Sequence, residues 1–375
     1  MRMVLLLLVA FTGICCDWRG PQSILEGHEG SVHSITWSPD GSKLASASRL
    51  NYSGDNTLRI WDATSSREVQ TIRADPRKVS WSPDGTRISW CDIKLGVEVW
   101  DVESGTRVHL FKARGRNRLT AVAWSPDGKR IATGGGGVFS QWGGVVGSWE
   151  PEITVRDSAT GNVLLAITGR RFSGSVRHLA WSPDGSKLVS VSTSGGCRPF
   201  PSIQVWDAER GIEVQSLKAE APELSDIAWS PDGTRLAGCG MYERKIIVWD
   251  LASAERVHAL KSYGLRIVWG AAGGRFSCGR DQWESGSGNK IFTIPYNGYG
   301  ELAWGLGGRR VAVAGQHKTV FGNSYKVWVW DTASGKLISR MKGLQNGVSY
   351  LVWSPDGTRL ASPDGPDIKI WSIPK

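Results

Sequence analysis

The chain of 375 residues lacks an apolar run long enough to cross a bilayer, which takes about 20 residues as a helix; Val4 to Phe11 is too short. No transmembrane span is expected. Helical periodicity is missing too, which leaves strands as the regular structure. The usual signatures of catalysis are absent: no phosphate loop with its lysine, no His-Glu-x-x-His, no Gly-x-Ser-x-Gly. Gly134 to Gly137 is glycine-rich, but no helix follows to hold a phosphate, so it reads as a flexible loop. Acidic residues are in the minority, 35 against 45 Lys and Arg, and the net charge of +10 favours acidic partners over basic ones. A basic surface also serves solubility alone.

What the chain does have is a repeated text. Trp-Ser-Pro-Asp-Gly begins at Trp37, Trp81, Trp124, Trp181, Trp229 and Trp353, with worn copies at Trp269 and Trp304. The intervals run from 35 to 57 residues, so one supersecondary unit is repeated. Val32 to Trp37 alternates apolar and polar like a half-buried strand. Ser38-Pro39-Asp40-Gly41 then reverses the chain: proline presets φ, aspartate bonds nearby backbone, and glycine supplies the positive φ. Lys43–Ser48, Leu58–Asp62 and Val69–Ile72 read as three more strands. A lone four-stranded sheet buries little, so the units must stack, and a closed ring leaves no long bare edge.

Third-strand endings repeat in step, with Trp-Asp at Trp61, Trp100, Trp206, Trp249 and Trp330, and weaker forms at Arg156-Asp157, Trp283-Glu284 and Trp371-Ser372. Turn, spacing and ending together resemble the WD40-repeat family of β-propellers. The near-identical turn text is most similar to bacterial members. The resemblance implies an all-β propeller in which Gln22–Leu25 supplies the fourth strand of the last blade and closes the ring. Eight blades are expected, with seven as the alternative. Only 14 residues separate Trp269 from Trp283, against 24 from Trp37 to Trp61, so the sixth unit is the doubtful one.

Residues 1–20 resemble a secretory leader, with Arg2 ahead of the apolar run, although Thr12 to Cys16 lacks a small-x-small cleavage step. An exported protein and a cytoplasmic one with a misplaced start both remain open, and residues 21–375 are read as one propeller. Cys91 and Cys239 lie ten residues past their turn tryptophans and Cys278 nine, each in a different unit, while Cys197 is in a loop. They read as small buried residues, and neither a zinc site nor a disulfide within the ring is expected.

By resemblance, His28, Ser46, Asp55 and Trp61 would form a hydrogen-bonded tetrad within the first blade. A Ser-His-Asp triad is the catalytic reading of the same residues; satisfaction of buried polar groups is the stronger one. Units two to eight have no matching histidine, so most blades are held by packing and His28→Ala should loosen the first blade only modestly. The turn aspartates (Asp40, Asp84, Asp127, Asp184, Asp232, Asp356) are each followed by Lys or Arg (Lys43, Arg87, Lys129, Lys187, Arg235, Arg359), which opposes a bound calcium. No cofactor or metal is expected.

The resemblance also places loops leading into first strands, and loops joining second to third strands, on one face. Insertions fall there: Arg49–Asn56 with Tyr52, Gly134–Pro151 with Trp142 and Trp149, Thr193–Pro201 with Arg198 and Phe200, and Gly315–Tyr325 with His317, Lys318 and Phe321. Lys112, Arg114, Arg116 and Arg118 precede unit three, and Arg170 and Arg171 precede unit four. Arg and Trp are the residue types enriched at binding hot spots. The expected function is a monomeric, non-catalytic scaffold holding an acidic protein or peptide around blades three and four. The bland alternative has the tryptophans folded over a blade and the arginines solvated. A nucleic-acid-binding propeller and an enzyme with a central-channel site stay open as alternatives, though no regular aromatic stacking platform is visible.

Overall fold

Every Trp-Ser-Pro-Asp-Gly copy closes as the same turn. Ser38 Oγ donates to Asp40 Oδ1 (2.6 Å), the Ser42 amide donates to the same oxygen (3.0 Å), and the Lys43 amide donates to Ser38 Oγ (2.9 Å). The other five serines repeat the first bond at 2.5 to 2.6 Å. The glycine stands at a φ between 65° and 71° in all six copies, a left-handed conformation that glycine adopts without a Cβ penalty. Hydrogen bonds from Ser38 and Ser42 hold the Asp40 carboxyl down at about 2, and those from Ser182 and Ser186 do the same for Asp184.

The Asp of each Trp-Asp ending closes the next turn. Asp62 Oδ1 accepts from the amides of Ser65 (2.7 Å) and Thr64 (3.1 Å) and from Ser65 Oγ (2.8 Å). Asp101, Asp157, Asp207, Asp250 and Asp331 do likewise. The two aspartates of a unit thus fix its first and third reversals.

This computed structural model describes residues 18–374, apart from 49–55, 75, 93–95, 113–117, 137, 140–144, 147–151, 169–174, 193–201, 219–223, 241–243, 265, 296–299, 320–321, 347 and 349. It contains eight four-stranded antiparallel sheets, an eight-bladed β-propeller. Blades one to seven occupy Val32–Arg73, Pro76–Phe111, Arg118–Thr168, Val176–Lys218, Leu224–Lys261, Ile267–Thr293 and Gly300–Leu344. Blade eight takes three strands from Val352–Ser372 and its fourth from Ser23–Leu25, which pairs with Asp367–Ser372. The N-terminal strand therefore closes the ring, and blade six is a complete though shortened unit.

First strands of neighbouring blades touch, so they form the hub, and the fourth strands, largely exposed, form the rim. No single core lies at the axis. Each of the eight seams between blades owns a separate apolar cluster.

The turn tryptophans stitch these seams. Trp81, Trp181, Trp229, Trp269 and Trp353 donate their indole N–H to a first-strand carbonyl of the preceding blade, at Thr36, Ala123, Ala180, Ala228 and Ala303 (2.9 to 3.4 Å). Trp37 reaches Val352 O (3.3 Å) across the closing seam, while Trp124 and Trp304 use Ser89 Oγ and Gly279 O (both 2.9 Å). Such a bond satisfies a buried donor as well as joining two sheets.

Arginines after the turn tie the seams in the other direction. Arg130 donates to Gly185 O (2.7 Å) and lies over the Trp181 ring (4.6 Å); Arg359 donates to Gly41 O and to Ala63 O (3.2 Å) and lies over Trp37 (4.7 Å). Arg87, Arg235 and Arg310 reach Ser158 O, Ser285 O and Gly357 O. These cations clamp the next blade, a role beyond offsetting the turn aspartate.

Residues 18–20 also take part in closure. Arg19 bridges Met341 in parallel on the rim strand of blade seven, and Trp18 packs edge-on against Trp328 (6.3 Å) with Lys326 over its ring (4.2 Å). The leader-like run itself lies outside the described residues.

Candidate functional site

His28 enters blade one buried. Its Nε2 shares a hydrogen bond with Ser46 Oγ (2.7 Å), Trp61 Nε1 donates to the same oxygen (2.7 Å), and Nδ1 meets Thr57 Oγ1 (3.2 Å). Three of the four tetrad residues are together, and Asp55 lies outside the described residues. A serine hydroxyl tied to an indole and an imidazole inside a sheet has no room for a substrate, so the network reads as strand register.

Other blades answer the same position differently. Blade four keeps Trp206 Nε1 donating to Ser190 Oγ (2.9 Å), and blade two stacks Trp90 on Trp100 (5.9 Å). Blade five has Gly238, where a Cβ would stand 3.1 Å from Trp249, and blade six has Cys278. In blade eight, Asp364 accepts from the Gln345 (3.0 Å) and Asn346 (2.6 Å) amides and pairs with buried Lys369. Burial pushes the Asp364 carboxyl up, and Lys369 with the two amides outweighs it, leaving the group below its usual range.

The antiparallel order puts the loops leading into first strands at the same end of each sheet as the loops joining second to third strands. At this end the hub carries exposed Arg118 of blade three, Arg177 of blade four and Arg266 just ahead of blade six. Lys112 is exposed at the end of blade two. Arg266 stacks over Tyr350 (4.5 Å) of the lead-in to blade eight. Open to water on one side and crowded on the others, its guanidinium is pushed down by burial, against Asp226 and Glu301. Burial pushes the Glu301 carboxyl up, against Arg266. Asp226 Oδ2 accepts the Ile267 amide (2.9 Å), another tie from blade five to blade six.

Arg114, Arg116, Trp142, Trp149, Arg170, Arg171, Arg198 and Phe200 lie outside the described residues. Lys112 and Arg118 are thus the described members of the expected partner face. Sequence reading missed Arg177 and Arg266, whose only signal is a basic residue at a first-strand start. Among the described residues, no cluster of three His, Cys, Asp or Glu side chains is placed to hold a metal ion, and no helix is long and apolar enough to cross a membrane.

Repeated blades, paired turn aspartates and seam tryptophans define a propeller built from one repeated unit. The family model described as "WD domain, G-beta repeat" matches residues 19–62, 105–142, 162–198 and 211–250. The chain belongs to the WD40-repeat family. It is 24% identical over 365 residues to the "WD repeat-containing protein WDS homolog" of Arabidopsis thaliana, covering 93% of this chain and 56% of that one. It is 22% identical over 252 residues to "Cell division cycle 20.1, cofactor of APC complex" of the same plant, covering 65% and 50%. A mouse "Periodic tryptophan protein 2 homolog" is 33% identical over 94 residues, 24% of this chain and 10% of that one. The chain spans about half the length of the first two. These relatives are plant and mouse proteins and lend the bacterial likeness no support.

Proposed function

We propose that this propeller is a platform without chemistry of its own, holding an acidic protein or peptide on the end that carries the lead-in loops. The observation that carries the reading is the set of exposed basic residues Arg118, Arg177 and Arg266, at or just ahead of first strands around one hub. Cations gathered at one end draw a carboxylate-rich partner and raise its association rate. The net charge of +10, with Lys112, Arg114, Arg116, Arg170 and Arg171 ahead of units three and four in the sequence, acts in the same sense. One relative named as a WD repeat-containing protein and another named as a cofactor of a complex suit a scaffold.

The test is capture of glutamate- and aspartate-rich peptides by the full chain and by the Arg114→Ser, Arg116→Ser, Arg118→Ser triple variant, at low and high salt. Weaker capture by the variant, and a shallower salt dependence, are expected. Unchanged capture at both salts discards the reading. A steep salt slope against random oligonucleotides, with none against acidic peptides, would move the site to nucleic acid.

A further inference from the structure

Three described cysteines, Cys91, Cys239 and Cys278, are buried outside any disulfide, and two of them face each other across one seam. In blade five, Leu236 pairs with Trp249 and packs toward blade four. Cys239, three residues on, projects from the opposite side of the sheet, because strand side chains alternate. It lies with Ala237, Ile246 and Val248 in the cluster shared with blade six. In blade six, Phe276 pairs with Trp283, and Cys278, two residues on, projects from the same side as Phe276 into that same cluster. Gly264, in the link from blade five to blade six, sits so close that a Cβ there would stand 2.5 Å from Cys278 Sγ. The Cys278 thiol is the largest influence on Cys239 and, with burial, pushes the Cys239 thiol well above its ordinary range.

We propose that Cys239 and Cys278 are a built-in dithiol whose oxidation joins blades five and six by a disulfide. The oxidant is a small-molecule disulfide such as oxidised glutathione. One cysteine thiolate attacks a glutathione sulfur and expels one reduced glutathione; the second thiolate attacks the mixed disulfide and expels the other. Two S–H bonds are lost, one S–S bond forms, and the two protons leave on the two glutathione thiols. The closed seam disfavours both thiolates and shuts out the oxidant, so exchange proceeds through openings of the seam. Blade six provides them, with strands of three or four residues against six in blade five. Cys91 is the internal control: it is buried in the seam of blades two and three with no cysteine in its cluster.

The experiment uses the full chain with Cys15, Cys16 and Cys197 changed to Ser, treated with oxidised glutathione with and without sub-denaturing urea. Peptide mapping without reductant should find Cys239 linked to Cys278 and Cys91 free, with urea speeding the reaction. The linked loop spans roughly 40 residues, so the oxidised protein should unfold about 5 °C higher. Cys239→Ser or Cys278→Ser should remove both the link and the shift, and Cys91→Ser neither. Glutathione retained on either cysteine, linkage to Cys91, thiols still free after the seam has opened in urea, or a linked form with a lower unfolding temperature would each overturn the proposal.

Discussion

Blade one and blade six are the same unit at two levels of completeness. Blade one has four strands of six residues, the full Ser-Pro-Asp-Gly turn, and an indole, a serine and a histidine joined in one buried network. Blade six keeps the topology with strands of three or four residues, a Gly-Ala-Ala-Gly turn and Cys278 where the serine stands. Both keep the turn tryptophan bonded to the preceding blade and a third-strand tryptophan almost wholly buried. What a blade must retain is therefore its link to its neighbour; polar satisfaction within the sheet is dispensable.

That contrast can be broken most forcefully at the third-strand tryptophans. Trp61→Ala and Trp283→Ala should each cost about 3–5 kcal/mol by chemical unfolding, since both truncate a large buried ring. Trp61→Ala should be the worse of the two, because it also strips a donor from Ser46. Next comes His28→Ala, which leaves buried polar groups short of a partner and should cost about 1–3 kcal/mol, confined to blade one by hydrogen exchange.

Acid separates the blades as well. Asp40, Asp184 and Asp356 titrate at about 2 in the folded protein against an ordinary 3.8. A depressed carboxyl contributes stability that is complete above its ordinary value and is lost as pH falls through the folded one. Unfolding temperature should therefore drop between pH 4 and pH 2, as set by those values, and Asp40→Asn should flatten the drop. Blade six has Ala272 at this place and contributes nothing to the effect. The smallest expected change is a repair: Ala272→Asp gives the worn turn an acceptor and should add about 0.5–1 kcal/mol, read as a higher denaturant midpoint. No gain would mean that the turn in blade six is held by its seam alone.

The ring was legible because its signals are local. Turn, strand and Trp-Asp ending fall within one unit, and Gln22–Leu25 could be placed because the last unit lacked its fourth strand. Seam contacts were not legible. Trp37 bonds Val352 and Arg359 bonds Gly41, partners at opposite ends of the chain that only closure brings together. The offsets of ten and nine residues for Cys239 and Cys278 were visible, yet their meaning depends on which side of each sheet faces the next blade. Of the partner face, Lys112 and Arg118 are described; the inserted loops carry no positional signal, because repeats specify blades and not insertions.

Eight separate cores arranged in a ring make the molecule behave like a hooped barrel rather than a ball. A hoop is as strong as its poorest joint, and that joint is between blades six and seven, where blade six offers chiefly Ile294 and Phe292 to the shared apolar cluster. Staves there should part first under heat or protease. The intact joints then hold the remaining wheel in shape as an open arc.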